Sequence, residues 1–292
     1  MQFQGVVIGN PPNTPFGIIK LEGLGKQKVR SGNTPRPRTR GSFVGMNLLD
    51  TRTITATLDV GPPFGSYGNL ASALASLRTA CSTEGSTEQP LWIQLPNQPL
   101  VACMARVTGF DPAWDVTADL GSTIKSVPLQ FEATDPYLYV APTLAPSIGL
   151  PVPGIGFTFP ITFPFSFGGG TSPNSYTATN LGDVPCWPVL VITGPCLNPT
   201  VQNQSITGNP FVSLNISLNA GDQLVIDCDL QSILYYPAGA TVGAPYPQIL
   251  NAGSTFFALV SGANTIAFNS QDTSVVAGTL ALWWTSAYDG LL

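Results

Sequence analysis

The sequence predicts a mainly β protein in two parts: a β-rich N-terminal half with one short helix, then an all-β sandwich. Three observations lead there. Residues 53–60 alternate strictly, with Ile54, Ala56, Leu58 and Val60 on one face and Thr53, Thr55, Thr57 and Asp59 on the other, the period of a half-buried strand. Leu70, Ala73, Leu74, Leu77 and Cys81 form one apolar stripe at helical spacing. From residue 184 onward, short apolar runs bounded by Gly, Pro, Asn and Asp recur at the spacing of a β-sandwich, with no helical period. A chain of 292 residues fits two domains, and its 43% hydrophobic content is enough for each to bury a core.

In the first half, Asn69 is positioned as the N-cap of the helix. So short a helix is unstable alone and must lie on a sheet. Residues 91–95, 100–106 and 126–131 read as further strands between Pro, Asn and Gly turns. Residues 141–180 differ. Pro142, Pro146, Pro151, Pro153, Pro160 and Pro164 recur too densely for a helix or a central strand. Within that stretch Phe157, Phe159, Phe163, Phe165 and Phe167 would project from one side of an extended chain. They are expected to pack along a domain edge or a neighbouring subunit rather than stand in water. The strands expected beyond are 189–193, 211–218, 224–227, 233–236, 256–260, 265–268 and 280–285. The division expected is 1–140, an interdomain segment 141–180, and a sandwich 181–292.

Charge narrows the function. Only 9% of residues are charged, against about a quarter in ordinary soluble proteins, and such surface favours association. Residues 126–292 contain no Lys, Arg or His, and the whole chain contains no His. That half has no cation for a phosphate and no imidazole for proton transfer or metal binding. No Ser-His or Cys-His dyad can form, so an enzyme is not expected. Asp227 and Asp229 form the best carboxylate pair for hydrolysis, but a solvated strand end accounts for them better. Asp222, Asp227 and Asp229 do not match a Ca²⁺ loop, and Gly168–Gly170 lacks a phosphate-loop signature. No cofactor is expected.

A net charge of -5 argues against nucleic acid as a partner. No run reaches the roughly 20 apolar residues needed to cross a bilayer, and MQFQGVVIGNPPNTPFG does not read as a signal peptide. The five cysteines show no CxxC spacing and are expected to be buried thiols, although Cys186 and Cys196 could meet across a strand pair.

The one positive signal is a cluster. Lys20, Lys26, Lys28, Arg30, Arg36, Arg38, Arg40 and Arg52 are eight of the 11 basic residues, with only Glu22 and Asp50 of the 16 acidic ones among them. Three basic and fourteen acidic residues remain for the rest of the chain. A solvated loop is the plain reading. The sharper one is an arm docking on an acidic face of a neighbouring copy, as in a closed ring.

Four segments carry a family likeness: RGSFVGMNLLDTRTITATLDV (40–60), LQFEATDPYLY (129–139), FTFPITFPFSFGGG (157–170), and NLGDVPCWPVLVITGPCLNPTVQN followed by LNAGDQLVIDCD and SGANTIAF. In this order and spacing the chain resembles the distal tail proteins (Dit-like minor tail proteins) of long-tailed bacteriophages, in the form found in phages of actinobacteria. The resemblance implies a split-barrel-like belt domain closing a ring, usually a hexamer, and a galectin-like C-terminal sandwich. It implies a place at the distal end of the virion tail, joining the tail tube protein to the tail-tip hub and receptor-binding proteins around the tape-measure protein. It carries no catalytic residues.

Ring contacts are then expected from the basic cluster and from the strands near 53–60 and 129–139, with the phenylalanine row fixing the second domain. The alternative is a carbohydrate-binding adhesin acting through the sandwich. Trp187, Trp283 and Trp284 would be its platform, but core or interface places suit them better.

Overall fold

The computed structural model describes residues 1–9, 14–61, 70–82, 87–112, 123–151, 174–271 and 277–291. Its regular secondary structure is almost wholly strand, in two units: Met1–Ala141 with Tyr288–Leu292, and Pro142–Ala287. The end of the chain, expected to finish the sandwich, belongs instead to the first unit.

The first unit holds β1 (Gln2–Phe3), β2 (Val6–Val7), β3 (Phe16–Glu22), β4 (Val29–Ser31), β5 (Thr34–Pro35), β6 (Ser42–Phe43), β7 (Asn47–Leu49), β8 (Arg52–Val60), α1 (Leu70–Ala80), β9 (Gln89–Ile93), β10 (Val101–Phe110), β11 (Ile124–Ala133) and β12 (Leu138–Val140). Its main sheet runs β2-β1-β9-β10-β11-β8-β3, with β12 added to β10. The period of two in β8 does what the sequence requires: Ile54, Ala56, Leu58 and Val60 are buried, and the threonines face outward. Against β8 and β2 lies α1, burying Ala73 and Leu77 with Leu70 and Leu74 packed alongside. Phe3 and Phe131 meet edge to face in the same core, ring centroids 5.0 Å apart. Asn69, the expected N-cap, lies outside the described residues.

Strand β3 is absent from the sequence expectation because its alternation breaks. A register shift falls between Ile18 and Lys20, and such a bulge changes which face each later residue takes.

The second unit contains β13 (Thr143–Leu144), β14 (Ile148–Gly149), β15 (Ser175–Asn180), β16 (Val189–Thr193), β17 (Cys196–Leu197), β18 (Thr200–Asn203), β19 (Phe211–Ser213), β20 (Ser217–Leu218), β21 (Gln223–Asp227), β22 (Ser232–Tyr236), β23 (Ala244–Pro245), β24 (Gly262–Asn269) and β25 (Thr279–Trp284). One sheet is ordered β13-β25-β16-β21-β22-β23 with β14 also on β25; the other is β15-β24-β18-β19. Leu190, Ile192, Leu224, Ile226, Leu280 and Leu282 from the first share a core with Ala178, Val201, Val212, Ile266 and Phe268 from the second. That is a sandwich.

The proline-rich stretch contributes β13 and β14 as short additions to β25, compatible with proline beside edge strands. The phenylalanine row, Phe157 to Phe167, lies outside the described residues. Residues 256–260, expected as a strand, form only an isolated bridge between Leu259 and Cys186. Residues 211–218 split into β19 and β20, which join different partners, β18 and β17.

Candidate assembly interface

Between β3 and β8 the chain leaves the sheet as a hairpin arm. Its lower tier pairs β4 with β7, Val29 opposite Leu49 and Ser31 opposite Asn47. The upper tier pairs β5 with β6, Thr34 opposite Phe43. Between the tiers, the Gly45 N–H donates to Asn33 Oδ1 at 2.8 Å and the Gly32 N–H to the Met46 carbonyl at 3.1 Å. At the tip the Arg36 N–H donates to the Gly41 carbonyl at 3.1 Å, and Gly41 sits at φ 93°, where glycine costs least.

Every residue from 28 to 44 is exposed. The arm has no core, and a lone two-stranded hairpin is marginal in water. Its surface is both cationic and apolar. Lys26, Lys28, Arg30, Arg36, Arg38 and Arg40 stand out from it, and among the described residues none forms an ion pair. With them are Val29, Phe43, Val44, Met46 and Leu48; Val44 is 94% and Met46 76% exposed. The Arg36 guanidinium lies over the Phe43 ring, 5.1 Å from its centroid, a contact worth roughly 0.5–1 kcal/mol at an exposed site. At the arm's root Lys20 pairs with Glu22 at 2.8 Å, both well exposed, so the pair adds little stability.

Arg52 does not belong with these. It is 0% exposed, so the expectation of a ring contact from it fails. Register puts it on the core face of β8, two residues before Ile54. Its Nε–H donates to the Pro136 carbonyl at 2.5 Å, and Nη1 reaches the carbonyls of Gly23 at 2.7 Å and Gly25 at 3.1 Å. Its Nη2 donates to the Asp289 carbonyl at 2.5 Å. Burial pulls its pKa below the ordinary guanidinium value, opposed in part by the carboxylates of Asp289 and Asp135; a guanidinium stays charged throughout. At Gly23 the backbone beside it leaves no room for a side chain. Gly23 has φ 88°, and a Cβ there would sit 2.0 Å from the Thr53 carbonyl oxygen.

The other strands expected at ring contacts are inner ones. Strand β8 lies between β3 and β11, and β11 between β10 and β8. Their hydrogen-bonding edges are taken, so they can offer only outward side chains.

The carboxylates considered for chemistry hold turns. Asp227 Oδ1 accepts the N–H groups of Asp229 at 2.9 Å and Leu230 at 3.0 Å. Asp222, buried, accepts from Asn219 and Ala238 N–H at 3.0 and 2.9 Å and from the Tyr235 hydroxyl at 3.1 Å. Those bonds, the Asn219 N–H first, hold its carboxyl below the usual range. All five cysteines are free and buried. Burial pushes Cys81, Cys103 and Cys228 up to about 12, and Cys186 and Cys196 to about 11. Trp284 is buried and donates its indole N–H to the Thr179 carbonyl at 3.2 Å, while Trp187 and Trp283 are partly exposed.

Residues 181–286 match the family described as the siphovirus-type tail component, C-terminal domain, of SPP1 Dit type. Over 93% of this chain and 93% of the other, the structure also superposes on the crystal structure of SPP1 Dit, with a TM-score of 0.61 and 13% identity. The fold is similar to that of SPP1 Dit. SPP1 Dit is described as a paradigm of the hub adsorption apparatus in phages infecting Gram-positive bacteria. Chains of the phage p2 baseplate in its activated conformation, with Ca and with Sr, align at 12% identity over 93% of this chain and 91% of theirs, at TM-scores of 0.44 and 0.42. No curated protein sequence matches significantly. The matched family is thus a tail component, and SPP1 Dit a protein of an adsorption apparatus. In this chain the arm connects two adjacent strands of the first sheet.

Proposed function

We propose that this protein is a structural subunit of the distal phage tail, assembling with copies of itself into a ring, expected to be six-membered. The ring joins the tail tube above to the tip hub and receptor-binding proteins below, around the end of the tape-measure protein. The observation that carries this is the match of residues 181–286 to a siphovirus tail component. The fold likeness across the chain supports it. Ring closure is supported by the arm: an ordered hairpin with no core of its own, whose six cations form no ion pair among the described residues, on a chain whose remaining charge is chiefly acidic.

The test is the mass and shape of the purified full chain at physiological salt. Light scattering should give a closed multiple of the 30.6 kDa protomer, and negative-stain images should show rings with a central opening. Monomers at every concentration would defeat the reading.

A further inference from the structure

The first unit carries a groove of about 440 Å³ lined by Met1, Gln2, Val7, Trp92, Gln94 and Leu100. Sheet register explains it. Gln2 lies opposite Val7 on one side and Trp92 on the other, so these three point the same way. Leu91 and Ile93 point into the core, so the groove opens on the face turned from it. Across that face Trp92 neighbours Ala102, and Ala102 neighbours Tyr139, continuing an apolar strip to which exposed Met104 belongs.

The strip has an acidic margin. The Tyr139 hydroxyl donates to Asp135 at 2.6 Å, and Glu88 accepts the Thr134 N–H at 2.8 Å. Glu132 is next along, paired to Arg106 at 2.8 Å.

The arm is the mirror of this surface in character, apolar at Phe43, Val44 and Met46 and cationic at Arg36, Arg38 and Arg40. It is rooted between β3 and β8, at one end of the strand order β2-β1-β9-β10-β11-β8-β3, and the groove lies at the other end. We propose that this groove receives the arm of the neighbouring copy. The inference rests on the ring reading and names its contact. Complementary surfaces at opposite ends of one sheet make a head-to-tail interface, which closes into a ring when the rotation per copy allows. Burying the arm's side chains there offsets the cost of ordering a hairpin that has no core.

The full chain carrying Met46→Cys together with Leu100→Cys tests it with a bismaleimide cross-linker, since the five native thiols are buried. The expected result is a ladder of covalent oligomers on a denaturing gel, absent from either single variant. A second variant, Leu100→Arg, changes a side chain that is 44% exposed; it should keep the wild-type far-UV circular dichroism spectrum and lose the oligomer. Oligomers by light scattering without a ladder specific to the double variant would overturn the arm–groove contact and leave the ring standing, with the groove assigned to another partner. Continued assembly of Leu100→Arg would overturn the contact in the same way. Monomers without any ladder would overturn both.

Discussion

The guanidinium of Arg52 donates to the main-chain carbonyl of Asp289, 237 positions further along the chain, at 2.5 Å. The same side chain holds Gly23, Gly25 and Pro136, so one residue ties three separate stretches of backbone to the strand that carries it. Just beyond, the Leu291 N–H donates to the Leu24 carbonyl at 2.8 Å. Gly290 runs so close to Gly25 that a Cβ would come within 2.7 Å of its carbonyl carbon.

Replacing Arg52 by methionine should therefore be severe. Four part-buried carbonyls lose a charged donor, those of Gly23 and Gly25 keeping only Gln27 Nε2, and each hydrogen bond to a charged group contributes about 1.5–3 kcal/mol. Arg52→Lys should rescue only part, because an ammonium cannot span the fork. Urea unfolding gives the cost, and hydrogen exchange at residues 288–291 should quicken in the lysine variant. A wild-type midpoint in Arg52→Met would show that the network contributes nothing.

Charge reversal on the arm should act the other way. Arg36→Glu, Arg38→Glu and Arg40→Glu together touch only exposed positions, so the protomer should keep its fold. Assembly should fail. Far-UV circular dichroism and light scattering on the same sample separate the two effects, and intact rings in the triple variant would remove charge as the arm's contribution.

Asp222 gives a pH signature. Its carboxyl is lower in the folded protein than the roughly 3.9 of an unfolded chain. The stabilisation is thus complete above the unfolded value and disappears as pH falls through the folded one. Asp222→Asn should lower the sandwich's melting midpoint by on the order of a few degrees at pH 7, and the difference from wild type should shrink below about pH 4. A gap that holds constant from pH 7 to pH 3 contradicts this account.

The thiols should be silent in the native protein. With values of about 11 to about 12, no more than about one in a thousand is thiolate at pH 8, and burial blocks access besides. A colourimetric thiol reagent should count none folded and five in denaturant. Rapid native labelling of any of them would place that cysteine at an accessible surface.

Much of this fold is legible in the sequence, and the failures have causes. Residues 53–60 announce β8 because one face is wholly apolar. Carrying the same alternation back by one step puts Arg52 on that face, which is the available sign that it differs from Arg36, Arg38 and Arg40. Strand β3 is hidden because the bulge at Ile18–Lys20 breaks the period. The arm is legible as charge but not as a hairpin, since its strands are two or three residues long and bury nothing. The acceptor groove is not legible at all: Met1, Val7, Trp92 and Leu100 become neighbours only through the pairing of β1 with β2 and β9. The return of the chain end is equally hidden, because it depends on carbonyls at Gly23, Gly25 and Asp289 that any residue type supplies.

That return makes the sandwich an insertion, with one covalent passage at Ala141–Pro142 and a second at Ala287–Tyr288. A single protease cut near residue 141 would leave both fragments together in native buffer, since the larger one still ends in a segment gripped by Arg52 and Leu24. Releasing residues 142–287 from the first unit therefore requires two cuts, so the second unit is held by redundancy of connection rather than by one tether.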